Sequence, residues 1–338
     1  MNAQKVEVRE AELIYLPGVA DSNSPMHWNN GKLYVYNSDG NPLRSEGTSL
    51  TTLRNVRAVH IVENPTSPWW VEATFRDTDG TVFAWYHHEL WDICNSAEGG
   101  KYLSTPVIGA LISKDNGQTF RNLGIVLRAG QEPNCAAENG YFAGGHGDFS
   151  VILDRDRKFF YFLFSNYSGE ASEQGVAIAR MPYEHRYDQV GSVFKYHEGD
   201  WKSEGVGGPV TPIFAVKAPW ERPNTDALWG PSIHYNRELA EFVMLLNHAC
   251  CEPGWPVAGI FVSTNPDLSN PKGWSQPERI VERGGWYPMA VGLDPGDTDK
   301  EAGAKARLFI GSDSSWEIYF RKGQVGVKEI RASSPNKN

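Results

Sequence analysis

Long hydrophobic runs, an excess of positive charge and a helical repeat are all missing from this 338-residue sequence. No window approaches the roughly 18 uncharged apolar residues of a membrane-spanning helix, so no membrane span or membrane partner is predicted. The chain carries 32 Lys and Arg against 41 Asp and Glu, a formal charge of −9. Proteins that bind a nucleic-acid backbone need clustered basic residues, so nucleic acid is not an expected partner. With 40% hydrophobic and 22% charged residues, the composition also excludes wholesale disorder.

The N-terminal segment lacks the features of a secretory signal. The segment MNAQKVEVREAELIY has neither the basic n-region nor the continuous apolar h-region of a signal peptide. The sequence therefore leaves the location open between the cytoplasm and secretion with the signal already removed.

Cysteine is scarce: there are four residues and no CxxC pair. Cys94 and Cys135 lie far apart in sequence, whereas Cys250 and Cys251 are neighbours whose side chains diverge. His248, close to this neighbouring pair, raises the question of a metal site. Buried free thiols are the expectation we favour over a metal site.

Aromatic residues, by contrast, are in excess: 12 Trp, 14 Tyr and 15 Phe make up 12% of the chain. Exposed Trp and Tyr rings suit flat ligands such as sugars, but β-rich cores also accumulate aromatic residues. Composition alone leaves both explanations open.

Short β-branched and aromatic runs follow one another along the chain, separated by Gly, Pro, Asn and Asp. Their spacing of roughly 8–12 residues is typical of an all-β sandwich, barrel or propeller. No linker divides the sequence, so we expect one domain over residues 1–338. The predicted strands are 31–38, 81–88, 106–113, 148–154, 158–166, 175–181, 232–236, 241–247, 258–264, 306–312 and 316–322.

Five segments share the same order of features: an acidic or Trp/Gly stretch, which we call the opening, then a strand, a turn and a second strand. The openings lie near residues 21, 71, 146, 228 and 286. Their variable separation fits four-stranded blades with insertions, which predicts a five-bladed β-propeller, with six blades as the open alternative. In a propeller the innermost strand of each blade lines a central channel. Residues at the five openings are therefore expected to face one shared cavity.

The segment 113–120, SKDNGQTF, matches the S-x-D-x-G-x-T-F Asp-box of sialidases and other propellers. In this motif Asp and Ser/Thr side chains hold a hairpin turn, and an aromatic residue packs below it. The motif favours a propeller but says little about chemistry. A sialidase also needs an arginine triad for the substrate carboxylate, and the sequence has no FRIP-like motif near its N-terminus.

Carboxylates fall at matching positions of three openings: Asp21, Glu72 and Asp148. Three carboxyl groups in one channel repel one another, which raises at least one pKa and produces the general acid and general base that glycoside hydrolysis needs. His146 precedes Asp148 in GGHGDFS, where glycines allow the backbone to approach a ligand closely. These four residues are the predicted catalytic group.

Histidines and aromatic residues near the same openings are predicted to bind sugar through hydrogen bonds or ring stacking. The mid-strand position of His234 favours a blade interface instead. The predicted binding group comprises Trp70, His87, His88, Trp229, His234, Trp286 and Tyr287.

These motifs resemble the five-bladed propeller glycoside hydrolases, an assemblage that includes families 43, 62, 117 and 183. The text GVA-Asp21 followed by NNGKLYVY is similar to the blade-one start of family 43, which carries the base. Asp148-Phe-Ser-Val is similar to the blade-three start, whose Asp tunes the acid. Trp229-Gly-Pro-Ser-Ile-His-Tyr is similar to the blade-four start E-G-P-x-x-Y, but Trp229 stands where family 43 has its acidic Glu.

The order GKLYVYNSD, SKDNGQTF and GPSIHYNRELAEFVMLLN looks closer to the endo-D-arabinanases of family 183. The resemblance implies hydrolysis of furanosidic or anhydro-sugar linkages in oligo- or polysaccharides. Asp21 would then be base or nucleophile, Asp148 the acid or its tuning partner, and Glu72 the third carboxylate. In family 117, which the chain also resembles, the acid is a His, so His146, His87 and His88 are further candidates for that role.

Two other functions stay open. One is a non-catalytic carbohydrate-binding propeller, in which Trp229 marks the loss of the acid, and the other is a sialidase-like hydrolase. The expected chemistry requires no cofactor, although carboxylates and His at blade openings are also able to hold calcium. The sequence predicts no oligomeric state.

Overall fold

The computed structural model describes residues 6–63, 68–91, 93–94 and 103–322, and strands make up most of these ranges. From the N-terminus, the strands are β1 (Val6–Tyr15), β2 (Met26–Asn29), β3 (Lys32–Ser38), β4 (Pro42–Gly47), β5 (Arg54–Ala58), β6 (His60–Val62), β7 (Trp69–Arg76), β8 (Val82–Leu90), β9 (Thr105–Ser113), β10 (Thr119–Leu127), β11 (His146–Leu153) and β12 (Phe159–Asn166). The remaining strands are β13 (Gly175–Pro182), β14 (Phe194–His197), β15 (Asp200–Glu204), β16 (Phe214–Ala215), β17 (Ala227–Asn236), β18 (Glu241–Ala249), β19 (Val257–Asn265), β20 (Glu278–Val281), β21 (Pro288–Gly292), β22 (Glu301–Ala302), β23 (Lys305–Ile310) and β24 (Asp313–Phe320). Short 3₁₀ turns occur at Leu50–Thr52, Tyr183–Tyr187 and Pro271–Gly273. Within the described ranges, no helix has the length and hydropathy to cross a membrane.

The strands form five sheets, each built on a four-stranded antiparallel meander, and this confirms the predicted all-β, five-bladed propeller. Blade one is β2–β5, blade two β7–β10, blade three β11–β14 and blade four β17–β20. Blade five combines β21, β23 and β24 with the N-terminal strand β1, which pairs with β24 from Val6 opposite Phe320. Strands from both ends of the described chain therefore share one sheet, which closes the ring.

The inner strands begin at residues 26, 69, 146, 227 and 288, close to the five predicted openings. The amide of Asn23, just before blade one, donates hydrogen bonds to the carbonyl oxygens of Phe149 in blade three (2.9 Å) and Pro231 in blade four (3.2 Å). These contacts bring the starts of three blades together at one end of the propeller.

Blades two, three and four share a bulge near the start of the inner strand. The strand register shifts between Val71 and Ala73 in β7, between Gly147 and Phe149 in β11, and around Gly230 in β17. A bulge adds one residue to a strand and turns its side chain out of the regular alternation. Two of the predicted carboxylates sit at these bulges.

Aromatic strand residues fill the space between neighbouring blades. Along β12, Phe160 and Phe162 pack with Trp85 in the core between blades two and three. The alternate residues Tyr161 and Leu163 lie in the next core, against blade four. Because successive side chains of a strand point to opposite faces, β12 supplies residues to two hydrophobic cores. This accounts for part of the aromatic excess.

The turn between β9 and β10 carries the segment 113–120. Ser113 Oγ donates to Asp115 Oδ1 at 2.8 Å, the backbone N–H of Thr119 donates to the same oxygen at 2.9 Å, and Phe120 is fully buried below. Asn116 Oδ1 accepts a hydrogen bond from the Asn29 amide in blade one at 3.1 Å. The turn therefore joins blades one and two.

Candidate active site

Glu72, at the bulge of β7, is 1% exposed and has both carboxyl oxygens in hydrogen bonds. Pairing of β7 with β8 sets His87 opposite Trp70, and Nδ1 of His87 lies 3.1 Å from Oε1 of Glu72 and 3.3 Å from the backbone nitrogen of Asp148. The backbone N–H of Phe149 in blade three donates to Oε2 at 3.0 Å. Glu72 therefore links blade two to blade three.

Asp148 occupies the corresponding bulge of β11, with a backbone φ of 43°. Its two carboxyl oxygens accept hydrogen bonds from the hydroxyl groups of Tyr167 and Tyr287, the latter at 2.9 Å. Burial and the charge of Asp148 raise the pKa of both tyrosines well above the usual value, so they stay protonated as donors. Tyr287 precedes β21, so this contact joins blade three to blade five.

Asp21 is half-buried in the segment before β2. Its backbone N–H donates to the carbonyl oxygen of Ser38 at 2.8 Å, which fixes it beside β3. Burial, together with the negative charges of Asp148 and Asp39, raises the pKa of Asp21 to about 6. Asp148 acts on Asp21 by direct charge repulsion, and Asp148 and Glu72 offer ligand atoms within 4.8 Å of each other, so the three predicted carboxylates form one cluster.

His87 is the basic group among these carboxylates. Burial opposes its protonation, but the hydrogen bond to Glu72 and the charges of Asp148, Glu72 and Glu89 outweigh burial and raise its pKa. Burial also raises the pKa of Glu72, against the effect of His87. The surrounding carboxyl groups therefore favour the protonated form of the imidazole.

Glu89 is a fourth acidic side chain of the cavity and was not among the predicted site residues. Its side chain is 12% exposed, and its Oε1 lies 3.7 Å from Nε2 of His87. Burial first, and then the charges of Asp148 and Asp21, raise the pKa of Glu89 against the effect of His87. The sequence did contain a signal for Glu89: it follows His87 by two residues, and alternate residues of a strand lie on the same face.

The structure does not bring His146 to the carboxylates. Its ring packs against Phe164 with centroids 4.8 Å apart, and its Nε2 lies 3.2 Å from Nζ of Lys195, both in blade three. Burial and the Lys195 charge hold the pKa of His146 well below its usual value, so the ring is neutral. Its contacts are those of a packed blade residue, and we assign it no catalytic role.

The glycines near His146 serve a contact between blades rather than the ligand contact that was predicted. A Cβ on Gly147 would lie 2.7 Å from Cε1 of His87 and 2.9 Å from Cβ of Pro106. A Cβ on Gly145 would meet the carbonyl oxygen of Pro106 at 2.6 Å. Only glycine leaves room for blade three to approach blade two this closely.

Aromatic rings stand next to the carboxylates, and we name this set the aromatic wall: Tyr141, Trp229, Trp286 and Tyr287. Trp229 is 2% exposed and packs edge-on against Trp286 (5.5 Å between centroids) and Tyr287 (5.6 Å). Trp286 and Tyr141 are half-buried, 5.8 Å apart. Burial and the charge of Asp21 raise the pKa of Tyr141, a ring that the sequence did not single out.

The other predicted binding residues of blade two lie around His87. The Trp70 ring packs over His87 with centroids 5.3 Å apart. Nδ1 of His88 lies at hydrogen-bond distance, 2.8 Å, from the carbonyl oxygen of Pro68, and burial lowers the pKa of His88. His88 therefore holds a loop, whereas Trp70 supports the imidazole.

His234 is fully buried at an interface between blades. Its ring meets Phe320 of blade five edge-on, 5.3 Å between centroids. Burial, with a smaller contribution from Lys300, lowers the pKa of His234 to about 3. This position matches the blade interface that its mid-strand place favoured, so His234 does not contact the cavity.

Glu72, His87 and Asp148 each offer one ligand atom within 4.8 Å of the others, which is the geometry of a small cation site. Calcium binds six to eight oxygen ligands, whereas these residues offer one imidazole nitrogen and two carboxyl groups whose oxygens are already engaged in hydrogen bonds. The three residues therefore do not fit calcium.

The predicted free thiols were wrong, because the structure pairs all four cysteines as Cys94–Cys135 and Cys250–Cys251. The first pair joins the loop after β8 to the segment before β11, 41 residues further on. The second joins neighbours at the end of β18. Nε2 of His248 lies 2.7 Å from Oδ1 of Asp226.

No family model and no curated protein matches this chain. Among solved structures, a thermostable family-43 glycoside hydrolase aligns with a TM-score of 0.53 and 11% identity, covering 96% of this chain and 100% of that one. An exo-1,5-α-L-arabinanase from a bovine ruminal metagenomic library aligns with a TM-score of 0.53 and 15% identity, covering 90% and 93%.

A third similar structure contains a bound sugar. It is the exo-β-1,3-galactanase of Phanerochaete chrysosporium with β-1,3-galactotriose, with a TM-score of 0.51 and 14% identity, covering 93% of this chain and 64% of that one. At these identities the likeness is one of fold: the chain has the five-bladed propeller of the family 43 glycoside hydrolases. The closer resemblance to family 183 stays a prediction.

Proposed function

We propose that this protein is a glycoside hydrolase whose reaction takes place at the carboxylate cluster of Asp21, Glu72 and Asp148. The observation that supports this most directly is the raised pKa of Asp21, about 6, beside carboxylates whose oxygens are held by hydrogen bonds. Glycosidases use a pair of carboxyl groups in different protonation states, and burial with like-charge repulsion produces such a pair. The propeller fold shared with family 43 enzymes agrees with this assignment.

In the proposed reaction Asp21 is the general base. Its carboxylate takes a proton from water as the water oxygen bonds to the anomeric carbon. The bond between that carbon and the leaving oxygen breaks, and the leaving oxygen needs a proton from an acid. Asp148 tunes Asp21 by its charge, and Glu72 positions His87 and the backbone at Phe149.

For the substrate we propose oligosaccharides of furanoside sugars, with α-1,5-linked arabinan first. The resemblance of the sequence motifs to arabinan-cleaving families and the similar fold of an exo-1,5-α-L-arabinanase support this choice. The half-buried rings of Trp286 and Tyr141 are placed to stack on a sugar beside Asp21. A β-1,3-linked galactan is the second candidate, because a galactanase shares the fold.

The test is incubation of the purified protein with α-1,5-arabino-oligosaccharides, β-1,3-galacto-oligosaccharides, anhydro-sugar oligosaccharides and sialyl-lactose. We expect release of reducing sugar from the arabinan series, followed by chromatography. If calorimetry detects binding of an oligosaccharide but no turnover occurs, the protein is instead a carbohydrate-binding propeller. Trp229 at the blade-four start favours that alternative. Turnover of sialyl-lactose alone would contradict the assignment to furanosides.

Asp39→Asn is expected to move the acidic limb of the pH profile to lower pH and to leave the maximal kcat unchanged. Asp39 is exposed, and its charge is one cause of the raised pKa of Asp21. Removing that charge lowers the pKa of Asp21, so the base becomes ionised at lower pH. The measurement is kcat/KM against pH at low and high salt, because screening should shrink the shift. Glu184→Gln, which also removes an exposed negative charge, should leave the limb in place.

Gly147→Ala is expected to lower kcat/KM by about 10²-fold, because a methyl group 2.7 Å from Cε1 of His87 must displace that ring from Glu72. Steady-state kinetics and thermal unfolding of the variant would measure the effect. Gly191→Ala is the control for activity: nothing lies within 4 Å of its Cβ, so its positive φ of 79° adds backbone strain that lowers stability but leaves kcat/KM unchanged. Full activity of Gly147→Ala would show that the position of His87 does not matter to the reaction.

The two disulfides lead us to propose that the protein works in an oxidising compartment, because such bonds persist mainly there. An extracellular polysaccharide substrate agrees with that location. Thiol titration of the protein isolated from its natural compartment tests it: free thiols at all four positions would contradict the proposal.

A further inference from the structure

Blade four supplies no carboxyl group where the resemblance to family 43 leads one to expect the acid. Trp229 occupies that position, 2% exposed and packed against Trp286 and Tyr287. Departure of a sugar hydroxyl still requires a proton, because an alkoxide is a poor leaving group. A hydrolase with this cavity must therefore take its proton donor from another blade.

Two of the carboxylates are unsuited to that task. Glu72 is 1% exposed, and its oxygens accept from His87 and the Phe149 backbone. Asp148 is 2% exposed, and its oxygens accept from Tyr167 and Tyr287. Because each of these oxygens is already held in a hydrogen bond and both side chains are almost fully buried, neither carboxyl group is open to a leaving group.

Glu89 differs on each of these points. Its side chain is 12% exposed, so it reaches solvent at the edge of the cluster. Its Oε1 is 3.7 Å from Nε2 of His87, too far for a hydrogen bond, and Nε2 is a buried atom without a hydrogen-bond partner. Glu89 therefore lies next to the cluster of Glu72, His87 and Asp148, whose ligand atoms are within 4.8 Å of one another.

We propose that Glu89, at the end of the second strand of blade two, is the proton donor of this hydrolase, in place of the blade-four glutamate; this rests on the proposed function. The Glu89 carboxyl proton passes to the glycosidic oxygen as the bond from that oxygen to the anomeric carbon breaks. Asp21 takes a proton from the attacking water, so one water is consumed and one hemiacetal and one alcohol are formed. The product alcohol carries the Glu89 proton, and solvent exchange returns both carboxyls to their starting states.

The charges around Glu89 agree with this role. The groups that act on it are His87 on its own strand, the Ser104 hydroxyl just before β9, Asp148 on the inner strand of blade three and Asp21 before blade one. Burial first, and then the two aspartates, raise its pKa, and His87 and Ser104 lower it, with a net rise. A raised pKa keeps a larger fraction of Glu89 protonated near neutral pH, as a proton donor needs.

Glu89→Gln tests the assignment with two probes that carry the same sugar, chosen from the series that the wild-type protein hydrolyses: an oligosaccharide and its 4-nitrophenyl glycoside. The sugar leaving group needs a proton, whereas nitrophenolate leaves without one. We expect kcat on the oligosaccharide to fall about 10³-fold and kcat on the nitrophenyl glycoside to fall less than about tenfold. The alkaline limb of the pH profile should also be lost. Glu184→Gln, on the exposed 3₁₀ turn after β13, is the matched control and should change neither rate.

The outcomes separate the two proposals. A wild-type protein that hydrolyses no probe overturns the proposed function and this assignment with it. A hydrolytic wild-type protein whose Glu89→Gln variant keeps its oligosaccharide rate overturns only the role of Glu89. Equal losses on both probes also overturn it, because a structural defect does not depend on the leaving group; thermal unfolding of the variant identifies that case.

Discussion

Asp21→Asn should lower kcat on the oligosaccharide about 10³-fold and leave KM nearly unchanged. An amide cannot take a proton from water, so the base is lost while the shape of the side chain is kept. The fold should survive, because Asp21 is half-buried and the hydrogen bond that fixes it uses its backbone N–H rather than its carboxyl group. Steady-state kinetics with thermal unfolding of the same preparation measure both effects.

Asp39→Asn is the matched control for this experiment, since it removes a neighbouring carboxylate and one negative charge but no reacting group. It should keep the wild-type kcat at the pH optimum. A wild-type rate for Asp21→Asn would move the base elsewhere in the cluster and would contradict the proposed reaction. Equal losses in both variants would mean that net charge, rather than proton transfer, governs the rate.

Much of the fold could be read from the sequence because a propeller repeats one simple pattern. Strands of period two, separated by turn residues, indicated blades, and the predicted openings fell close to the starts of the inner strands. Since all inner strands start at one end of the channel, Asp21, Glu72 and Asp148 could be predicted to meet. Predicting this cluster required only the position of each carboxylate at a blade opening, and that position is visible in the sequence.

The histidines show why the rest of the site could not be predicted. His146 and Asp148 are two residues apart, which in a regular strand puts both side chains on one face. The bulge between Gly147 and Phe149 breaks that alternation, and Asp148 turns to the cavity while His146 packs inside its blade. A bulge depends on the pairing with the next strand, so the sequence of one strand does not reveal it.

Electrostatic partners on neighbouring strands of one blade could not be predicted for a similar reason. His87 becomes a site residue because it faces Glu72 on the paired strand and Glu89 on its own strand. The register between β7 and β8, which the sequence does not specify, decides that encounter. The cysteine pairs likewise depend on which loops lie side by side.

Replacing Cys94 and Cys135 by Ser should lower the free energy of unfolding by about 4 kcal/mol, the second large effect that we expect. A disulfide stabilises a protein mainly by restricting its unfolded chain, and the effect grows with the number of residues in the closed loop. The separation of 41 residues between these two cysteines corresponds to about 4 kcal/mol in that treatment. Denaturant unfolding under non-reducing conditions measures the change.

The second disulfide provides the control, because Cys250 and Cys251 are adjacent and their bond closes almost no loop. Replacing both by Ser should therefore cost far less unfolding free energy than removing the first pair. Equal losses in the two double variants would show that the bonds act through native packing rather than through the unfolded chain. The first disulfide links the loop after β8 to the segment before β11. Its loss should therefore also reduce kcat/KM under conditions where the variant remains folded, because Glu89 lies near the end of β8 and Asp148 lies in β11.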